Sequence, residues 1–470
     1  MQTGKYGLDD AIAAIATALT PAALGIVRTS GMRAVELAAR IFSKPDALVN
    51  AAGNSIVHGW VISPETRMKV DEVTVCIYRA PKSFTGEDAV EFICHGGIAV
   101  VLRIYRLLLQ NGFRAAEGGE FTFRAFANGK TDLTRAEAVN EIINSKTDTA
   151  AELAAGRLSG SVFSEIEKIK EKILRVIAAT TVEIEYPEDE QAVPAVFSPE
   201  LILHVLQPLQ ILYDSWASQK IFIGGAKVVL AGKTNAGKSS LFNALLKEDR
   251  AIVSDVHGTT RDWLEAGLNF NGIPVSLYDT AGLRYTQDAV EADGVKRSVQ
   301  ISRTADLILY LLDSGEILKS ASLYSEDIRF IKEADAPLIP VITKTDVLTD
   351  ESKKKIIQIL QTEHISGYAL ISSKTYAGIK ELSDEAYRRL AAPSGHRSNG
   401  TSLGSERQKE AAGNALTCLL SAHKNAIAGF PLDAVTEDLE EAVRFLGEIT
   451  GEVRSDDILD TVFSNFCVGK

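Results

Sequence analysis

The sequence has few cysteines and no long apolar run. Its 470 residues include four cysteines, at positions 76, 94, 418 and 467, and no two of them form a C-x-x-C pair. That spacing disfavours both a zinc ribbon and a disulfide framework, and it is typical of reduced thiols in a reducing compartment. No apolar run approaches the roughly 18 residues that a membrane-spanning helix needs. We therefore expect a cytoplasmic protein that makes no membrane contact.

Charge and composition exclude further classes of protein. The chain carries 50 Lys and Arg against 62 Asp and Glu, so its net charge is -12. An acidic chain does not coat nucleic acid through bulk electrostatics, so any RNA contact needs a local patch or a partner protein. Apolar residues make up 46% of the chain, which excludes a disordered or collagen-like protein. This length predicts about three domains.

Changes in sequence pattern divide the chain into four segments. Residues 1–130 mix short apolar runs with glycine-rich turns, which predicts α/β structure. Residues 131–222 repeat apolar residues at three- and four-residue spacing, which predicts helices. Residues 223–391 return to alternating strands and helices, and residues 392–470 begin with a Gly/Ser/Pro-rich linker before becoming helical again. We therefore predict an α/β domain, then a helical domain into which a second α/β domain is inserted.

The segment from Gly232 to Ser239 matches the phosphate-binding pattern G-x-x-x-x-G-K-[ST], between a strand-like run and a helix-like run. Glycines let backbone N–H groups turn toward phosphate oxygens, and the helix N-terminus adds positive potential. Lys238 is expected to reach the β- and γ-phosphates, and Ser239 to ligate Mg²⁺. The predicted nucleotide contacts of this P-loop are Asn235, Ala236, Gly237, Lys238, Ser239 and Ser240.

Two motifs downstream of the P-loop fit the same interpretation. Asp279-Thr-Ala-Gly282 follows a strand-like run, so its carboxylate can hold the metal through water and Gly282 can offer its N–H to a γ-phosphate. Between the P-loop and Asp279, the segment Gly258-Thr-Thr-Arg-Asp262 is interpreted as a nucleotide switch in which Thr260 ligates Mg²⁺. Thr280 and Ala281 complete the predicted contacts of the later motif.

The segment Thr343-Lys344-Thr345-Asp346 is predicted to recognise guanine. The Asp346 carboxylate can accept hydrogen bonds from the guanine N1–H and 2-amino donors, an arrangement that adenine cannot satisfy. In isolation such a segment is more often a polar loop, and its position behind the P-loop favours the base-binding interpretation. The residues expected to surround the base are Thr343, Lys344, Asp346, Ser372, Ser373 and Lys374.

These residues resemble the P-loop GTPase superfamily, whose guanine motif usually begins with Asn where this chain has Thr343. The combination of Asn-Ala-Gly-Lys-Ser-Ser, Gly-Thr-Thr-Arg-Asp, Asp-Thr-Ala-Gly-Leu-Arg and the terminal Phe-Cys-Val-Gly-Lys is similar to the MnmE (TrmE) family of tRNA-modification GTPases. The resemblance covers the whole chain, including Ser83-Phe-Thr-Gly-Glu-Asp88 and Gly119-Glu-Phe-Thr-Phe-Arg124. It implies an α/β plus α fold with an N-terminal folate-binding-like domain, a helical domain and an inserted Ras-like GTPase domain.

The resemblance also implies a potassium-activated GTPase. In the family, G domains pair around a K⁺ ion, and the positions matching its ligands are Asn235, Ser254, Val256 and Thr259. Asp255, His257 and Gly258 belong to the same predicted nucleotide-binding loop. The family's catalytic glutamate corresponds to Glu291, which would orient the attacking water, whereas the sequence alone would favour a solvated charge there. Leu283 stands where Ras-like enzymes have a water-orienting Gln.

For the N-terminal domain, the resemblance implies binding of a tetrahydrofolate derivative, in its 5,10-methylene or 5-formyl form. Carried over by position, Arg28, Glu87, Lys130 and Lys470 would contact this folate. A carboxylate facing the pterin amidine and cations facing the glutamate tail are chemically sensible. Cys467 is a candidate for the chemistry, although a C-terminal cysteine is more often a packed small residue.

The implied protein is a homodimer that forms a heterotetramer with the FAD-dependent protein MnmG (GidA). Together they would add an aminomethyl-type group, such as carboxymethylaminomethyl, at C5 of the wobble uridine of certain tRNAs. Two alternatives stay open at this point. One is a regulatory or ribosome-assembly GTPase switch without one-carbon chemistry. The other is a folate-dependent transferase whose G domain serves only structure.

Overall fold

A computed structural model defines the architecture of the chain. It describes residues 6–185, 197–248, 265–279, 305–319, 325–334, 336–391, 401–453, 456–464 and 466–470. The chain forms two compact units. The first consists of Met1–Asn140, Leu158–Leu206 and Glu410–Lys470, and the second of Glu141–Arg157 and Gln207–Lys409.

The described part of the first unit is built on a six-stranded sheet in the order β3-β4-β5-β2-β1-β6. Its strands are β1 (Ile12–Ile15), β2 (Leu24–Ser30), β3 (Ser55–Ile62), β4 (Lys69–Tyr78), β5 (Ala89–His95) and β6 (Arg114–Ala115). Because side chains alternate between the two faces of a strand, Val27 and Phe92 are buried against the core while Arg28 and Glu91 lie on the other face. Strand register pairs Arg28 with Glu91.

Helices complete the first unit. Those described are α1 (Ala34–Ala39), α2 (Pro45–Val49), α3 (Ile98–Gln110), α4 (Glu120–Ala127), α5 (Leu133–Asn144), α6 (Asp148–Leu158), α7 (Ser161–Glu185) and α8 (Pro199–Gly224), of which α5, α6 and α8 cross into the second unit. The apolar stripe predicted from Ile166 onward lies in α7, where Ile166, Ile169 and Ile173 are buried. The helical character predicted for this region is therefore confirmed.

The described strands of the second unit form a sheet in the order β12-β11-β10-β7-β9-β8. They are β7 (Ala226–Gly232), β8 (Glu265–Phe270), β9 (Ile273–Asp279), β10 (Leu307–Asp313), β11 (Leu338–Thr343) and β12 (Ala369–Leu370). Neighbouring strands run parallel except β8 and β9, which form a hairpin. Parallel strands end at one edge of a sheet, so β7, β9 and β11 bring Gly232, Asp279 and Thr343, the first residues of three predicted motifs, to the same edge.

After β7, helices are interspersed with the strands of this sheet. The described elements that follow β12 are all helices. The described helices after β7 are α9 (Lys238–Glu248), α10 (Ser314–Lys319), α11 (Ser325–Glu333), a 3₁₀ helix (Thr345–Val347), α12 (Asp350–Thr362) and α13 (Ile379–Ala391), followed by α14 (Glu406–Ile427), α15 (Leu432–Thr450) and α16 (Asp456–Phe463). In the first unit, α7 packs along α15. None of the helices in the described ranges combines the length and the apolar character needed to cross a bilayer.

Candidate nucleotide and ligand sites

The P-loop connects β7 to α9 through a backbone that only certain residues tolerate. Gly232 has φ 134°, Asn235 φ 66° and Gly237 φ 98°. A Cβ atom on Gly232 would lie 2.4 Å from the carbonyl oxygen of Leu311. Positive φ and this close approach both favour glycine, with Asn the best tolerated of the other residues. The sequence pattern therefore reflects a steric requirement as well as the chemistry of phosphate binding.

Lys238 lies across the P-loop. Its Nζ donates hydrogen bonds to the carbonyl oxygens of Gly232 and Lys233, each at 2.8 Å. The side chain is buried, so the ammonium charge sits in an environment of reduced dielectric. Ser239 and Ser240 occupy the first turn of α9, beside the N-terminal backbone amides of the helix. The arrangement supplies both a cation and amide donors for an anionic ligand.

Thr343 ties the guanine-motif strand to the P-loop. Its hydroxyl lies 2.8 Å from the carbonyl oxygen of Ala236 and 3.2 Å from that of Leu312, and the residue is buried. A hydroxyl has one proton, so it donates to one of these acceptors at a time. Its Cβ, Cγ2 and Oγ1 each stand 3.8 Å from the place where a Cβ of Gly237 would be. Direct contact of Thr343 with the guanine base stays a prediction.

Replacing Thr343 by Val should weaken guanine-nucleotide binding by about 2- to 10-fold, because one neutral buried hydrogen bond to the P-loop is lost. Titration with a fluorescent GDP measures the effect. Thr343→Ser, which keeps the hydroxyl, is the matched control and should bind almost as well as the wild type. If Ser weakens binding as much as Val does, the methyl packing rather than the hydrogen bond positions the loop.

The guanine-recognition loop is held by an adjacent serine. Ser372 Oγ donates to Asp346 Oδ1 at 2.7 Å, and the backbone N–H of Thr375 donates to Ser372 Oγ at 3.2 Å. The hydrogen bond from Ser372 lowers the pKa of the Asp346 carboxyl below its ordinary value. The strand pairing of β11 with β12 brings the two loops together. Asp346 is therefore kept as an ionised acceptor, the form that guanine recognition requires.

Asp313 is a contributor that sequence reasoning missed. Its Oδ2 accepts a hydrogen bond from Lys344 Nζ at 2.6 Å, which fixes Lys344 beside the base-recognition loop. Burial acts to raise the pKa of Asp313, but this bond and the one from the Gly315 amide outweigh it and lower that pKa. Its position at the end of the apolar β10 run, on the same sheet edge as the motifs, is the signal that could have identified it.

Part of the predicted nucleotide site lies outside the described residues. These positions are Ser254, Asp255, Val256, His257, Gly258, Thr259, Thr260, Thr280, Ala281, Gly282 and Glu291. Asp279 is described as the last residue of β9, paired with Leu230 of β7, so its backbone reaches the P-loop edge of the sheet. The Mg²⁺, K⁺ and water-orienting roles assigned from the sequence therefore remain predictions.

In the first unit, Arg28 lies between two aromatic rings. Its guanidinium carbon is 4.6 Å from the centre of the Phe121 ring and 5.4 Å from that of Phe84, and Nη1 donates to the Gly469 carbonyl oxygen at 3.0 Å. Burial lowers the pKa of Arg28, and Nη2 lies 3.5 Å from Glu91 Oε1. Among the described residues Nε has no hydrogen-bond partner. A ligand with an acceptor atom there would satisfy this buried donor.

Glu87 is fixed by a chain of hydroxyl groups and a buried cation. Ser30 Oγ donates to Glu87 Oε2 at 2.7 Å and lies 2.6 Å from Thr85 Oγ1. Arg124 Nη1 stands 3.3 Å from the same carboxylate oxygen. Ser30 and Arg28 are two residues apart on β2, so they lie on the same face of the sheet. Glu87 and Arg28 therefore border one region of that face.

Arg124 organises a larger ionic network. The residue is fully buried, and its Nη2 donates to Asp10 Oδ1 at 2.6 Å and to Glu120 Oε1 at 3.0 Å. Arg114 bonds the same two carboxylates. Two arginines thus face the carboxylates of Asp10, Glu120 and Glu87. The network therefore places a buried cation beside the Glu87 carboxylate and balances its charge with two further carboxylates.

The C-terminal tail forms the remaining wall of this region. Gly118 and Val468 form a β-bridge, and the Phe121 amide donates to the Lys470 carbonyl oxygen at 3.2 Å. Cys467 is exposed, and its carbonyl accepts from the Gly119 amide at 3.3 Å. The structure thus brings the tail that carries Cys467 and Lys470 to Arg28. Lys130 donates to the Pro81 carbonyl oxygen at 2.9 Å and lies beside Gly86, next to Glu87.

Comparison with known proteins decides the family. The family model for the MnmE helical domain matches residues 133–467, and the model for the GTP-binding protein TrmE N-terminus matches residues 11–130. A protein called tRNA modification GTPase MnmE from Treponema denticola is 70% identical over 472 residues and covers 100% of each chain. The chain belongs to the MnmE family. The resemblance inferred from the motifs and the predicted fold class are both confirmed.

More distant MnmE-family members agree. One from Borrelia recurrentis, also called tRNA modification GTPase MnmE, is 40% identical over 467 residues and covers 98% of each chain.

A crystal structure of Era from Aquifex aeolicus bound to GDP and AlF4⁻ is 23% identical and covers 42% of this chain and 67% of its own. Its TM-score of 0.28 is too low to support a functional conclusion.

In this MnmE-family chain, Gly118 and Gly119 leave space for the C-terminal segment to pack closely against the backbone. A Cβ on Gly118 would lie 2.7 Å from the Phe466 carbonyl oxygen, and one on Gly119 would lie 2.8 Å from that of Phe463. Gly119 also has φ 75°, so a side chain there would be strained. The contacts with the tail give these glycines a structural reason.

Proposed function

We propose that this chain is a GTP-hydrolysing tRNA modification enzyme. With a flavin-dependent partner it adds an aminomethyl-type group, such as carboxymethylaminomethyl, at C5 of the wobble uridine of certain tRNAs. The observation that carries the proposal is the full-length 70% identity to a tRNA modification GTPase, because the P-loop alone supports only nucleotide binding. We also propose that the protein forms homodimers, that it forms a heterotetramer with MnmG and that it is located in the cytoplasm. The net charge of -12 suits a protein that leaves much of the RNA contact to a partner.

In the second unit, the described residues among those proposed to hold GTP follow strands that end at one edge of the sheet. Lys238 and the amides of the P-loop would bind the phosphates, and Asp346 the guanine edge. Ser239 and Thr260 would ligate Mg²⁺, with Asp279 acting through water. Glu291 would orient the attacking water, since Leu283 has no polar atom with which to do so. In this arrangement catalysis consists mainly of positioning and charge stabilisation.

K⁺ is proposed as the charge that assists hydrolysis when two G domains pair. Asn235 supports this because its side chain is exposed and includes an amide oxygen, a suitable ligand for K⁺, and its backbone has a left-handed φ of 66°. Ser254, Val256 and Thr259 would supply the other protein ligands. A cation held at this position adds positive charge where the transition state becomes more negative.

Hydrolysis of GTP should therefore be roughly tenfold or more faster in KCl than in NaCl of equal ionic strength, a gain of the size expected for added transition-state charge stabilisation. Phosphate release under multiple turnover measures the rate. Asn235→Ala should remove most of the difference between the two salts, whereas Asn243→Ala, on the exposed side of α9, should leave it intact. Equal rates in the two salts for the wild type would contradict the K⁺ proposal.

In the first unit, the region around Arg28 and Glu87 is proposed to bind a tetrahydrofolate derivative, in its 5,10-methylene or 5-formyl form. The bound folate would supply the one-carbon unit. Glu87, which accepts a hydrogen bond from Ser30 and faces Arg124, would pair with the pterin amidine edge. Arg28 has an unsatisfied Nε–H to offer to an acceptor, and Lys130 and Lys470 would face the anionic glutamate tail. Cys467 is exposed near this region and stays a candidate for the chemistry.

Mass spectrometry of wobble nucleosides tests the proposed function. tRNA from a strain that lacks this gene should lose the carboxymethylaminomethyl-type uridine, and a plasmid-borne copy should restore it. If the nucleoside profile does not change while the purified protein still hydrolyses GTP, the regulatory GTPase alternative is favoured. If the protein binds no folate but the nucleoside disappears, the one-carbon donor is assigned wrongly.

A further inference from the structure

The segment Glu141–Arg157 has an unusual place in the chain. It belongs to the second unit, while the residues up to Asn140 and those from Leu158 onward belong to the first. It contains the end of α5 and all but the last residue of α6. The chain therefore leaves the first unit and returns to it through this segment. The segment is continuous with α5 and leads on to α7, so the chain itself offers a displacement of the segment a route toward both helices.

Thr147 attaches the start of α6 to the β8–β9 hairpin. Its hydroxyl donates to the carbonyl oxygen of Gly272 at 2.8 Å and accepts from the backbone N–H of Ala150 at 3.2 Å. The residue is buried. Thr147 is thus the N-cap of α6, and the hydroxyl that caps the helix also holds the hairpin turn.

The same turn approaches the helix closely on its other side. A Cβ on Gly272 would lie 2.3 Å from Thr149 Oγ1, and Gly272 has φ 98°, so both the contact and the backbone favour glycine. Asn271 Nδ2 donates to Asp384 Oδ1 at 2.8 Å, which ties the turn to α13. One turn later in α6, Leu153 packs against the core of the second unit's sheet. The start of α6 is therefore held by a hydrogen bond, a close backbone approach and apolar packing.

The ends of the segment are also joined within the second unit. Arg157, which is fully buried, donates through Nε to Glu141 Oε2 at 2.7 Å, and its Nη1 lies 3.3 Å from Ser402 Oγ. A Cβ on Gly404 would lie 2.3 Å from Glu141 Oε1, so this residue too is packed against the pair. Side-chain contacts therefore hold both ends of the segment, in addition to the contact of Thr147 with the hairpin.

The hairpin connects this contact to the nucleotide site. β8 begins directly after residues 249–264, which contain the predicted switch loop, and β9 ends at Asp279 of the second predicted motif. Its two strands are paired along their length. The pairing joins the two ends of the hairpin to the turn at Asn271 and Gly272 through one continuous hydrogen-bonded ladder.

We propose that the contact between Thr147 and the Gly272 turn couples the nucleotide state to the helices of the first unit. The inference rests on the proposed GTPase function and adds to it the element that carries the signal. Coupling of this kind is reciprocal, so the helices would in turn bias nucleotide binding. The physical basis is a contiguous set of packed and hydrogen-bonded groups rather than distance alone. Thr147 acts here as a positioning residue that touches neither nucleotide nor folate.

Hydrogen–deuterium exchange of the full-length protein, measured by mass spectrometry, tests the coupling. Exchange is compared with GDP and with a non-hydrolysable GTP analogue, after titration with fluorescent GDP has established binding. In the wild type, exchange rates in α7, which belongs to the first unit, should differ between the two states by about 2- to 10-fold, the range that one buried hydrogen bond can control. Thr147→Val should remove the difference. Thr147→Asp should also remove it, because the carboxylate still caps α6 but cannot donate to Gly272. Thr147→Ser should retain it.

The outcomes separate this inference from the proposed function. If the wild type binds no guanine nucleotide, the GTPase proposal fails and the coupling falls with it. If the wild type binds both nucleotides but exchange in α7 is the same in each, only the coupling is overturned. The same holds if Thr147→Asp keeps a difference of wild-type size. The wild-type comparison decides the question even where a variant fails to fold.

Discussion

Asp346→Asn is expected to shift nucleotide preference from guanine to xanthine. In the variant an amide faces the N1–H and 2-amino donors of guanine, whereas the xanthine 2-oxo group can accept from the new amide. Loss of two hydrogen bonds to a charged group corresponds to a decrease in GTP affinity of roughly 100-fold or more. Competition of GTP and XTP for a fluorescent nucleotide measures the change. The hydrogen bond from Ser372 gives the substituted side chain a neighbour that holds it in place.

A matched substitution controls for the loss of a surface charge. Asp350→Asn removes a carboxylate from the exposed start of α12, in the same part of the second unit. It should leave GTP preference unchanged. If Asp346→Asn binds GTP as well as the wild type does and gains no affinity for XTP, another residue recognises the base.

Lys238→Ala is expected to abolish both GTP turnover and wobble-uridine modification. The ammonium is the cation that lies across the P-loop, held at 2.8 Å from two of its carbonyl oxygens. Charge-assisted hydrogen bonds to phosphate oxygens are among the strong ones, so their loss should reduce GTP affinity by about 10- to 100-fold. Phosphate release and nucleoside mass spectrometry in a complemented deletion strain give the two readouts. Lys247→Ala, an exposed lysine near the end of α9, should alter neither.

The two readouts of Lys238→Ala also separate the open alternatives. If hydrolysis is lost but modification is fully retained, the G domain serves only structure and the proposed coupling of GTP to modification is wrong. If the wild type hydrolyses GTP and no wobble nucleoside depends on it, the chain is a switch without one-carbon chemistry.

Much of the fold could be predicted from the local pattern of apolar and polar residues in the sequence. The strand-like run before the P-loop lies within β7, and the helix-like run after it lies within α9, as predicted. The apolar stripe of α7 follows from its three- and four-residue spacing, because that spacing places side chains on one helical face. These features depend on near neighbours in the sequence. The structure then adds that the phosphate and base loops lie at one sheet edge, since parallel strands end together.

Long-range polar contacts could not be predicted in the same way. Arg124 and Asp10 are 114 residues apart, and Thr147 and Gly272 are 125 residues apart. No local periodicity or motif records which polar residues meet across such distances. The same reason explains why Ser30 and Arg124 were not identified as partners of Glu87. Thr343 was assigned to the base by motif position, whereas its hydrogen bond to Ala236 depends on the packing of β11 beside the P-loop.

Titration of the purified full-length chain with fluorescent GDP, in buffer containing Mg²⁺ and K⁺, tests the central claim most directly. The P-loop lysine, the glycine-dependent backbone and the ionised Asp346 predict saturable binding that GTP reverses and ATP does not. Absence of saturable binding, or equal displacement by ATP, would contradict the account of this site.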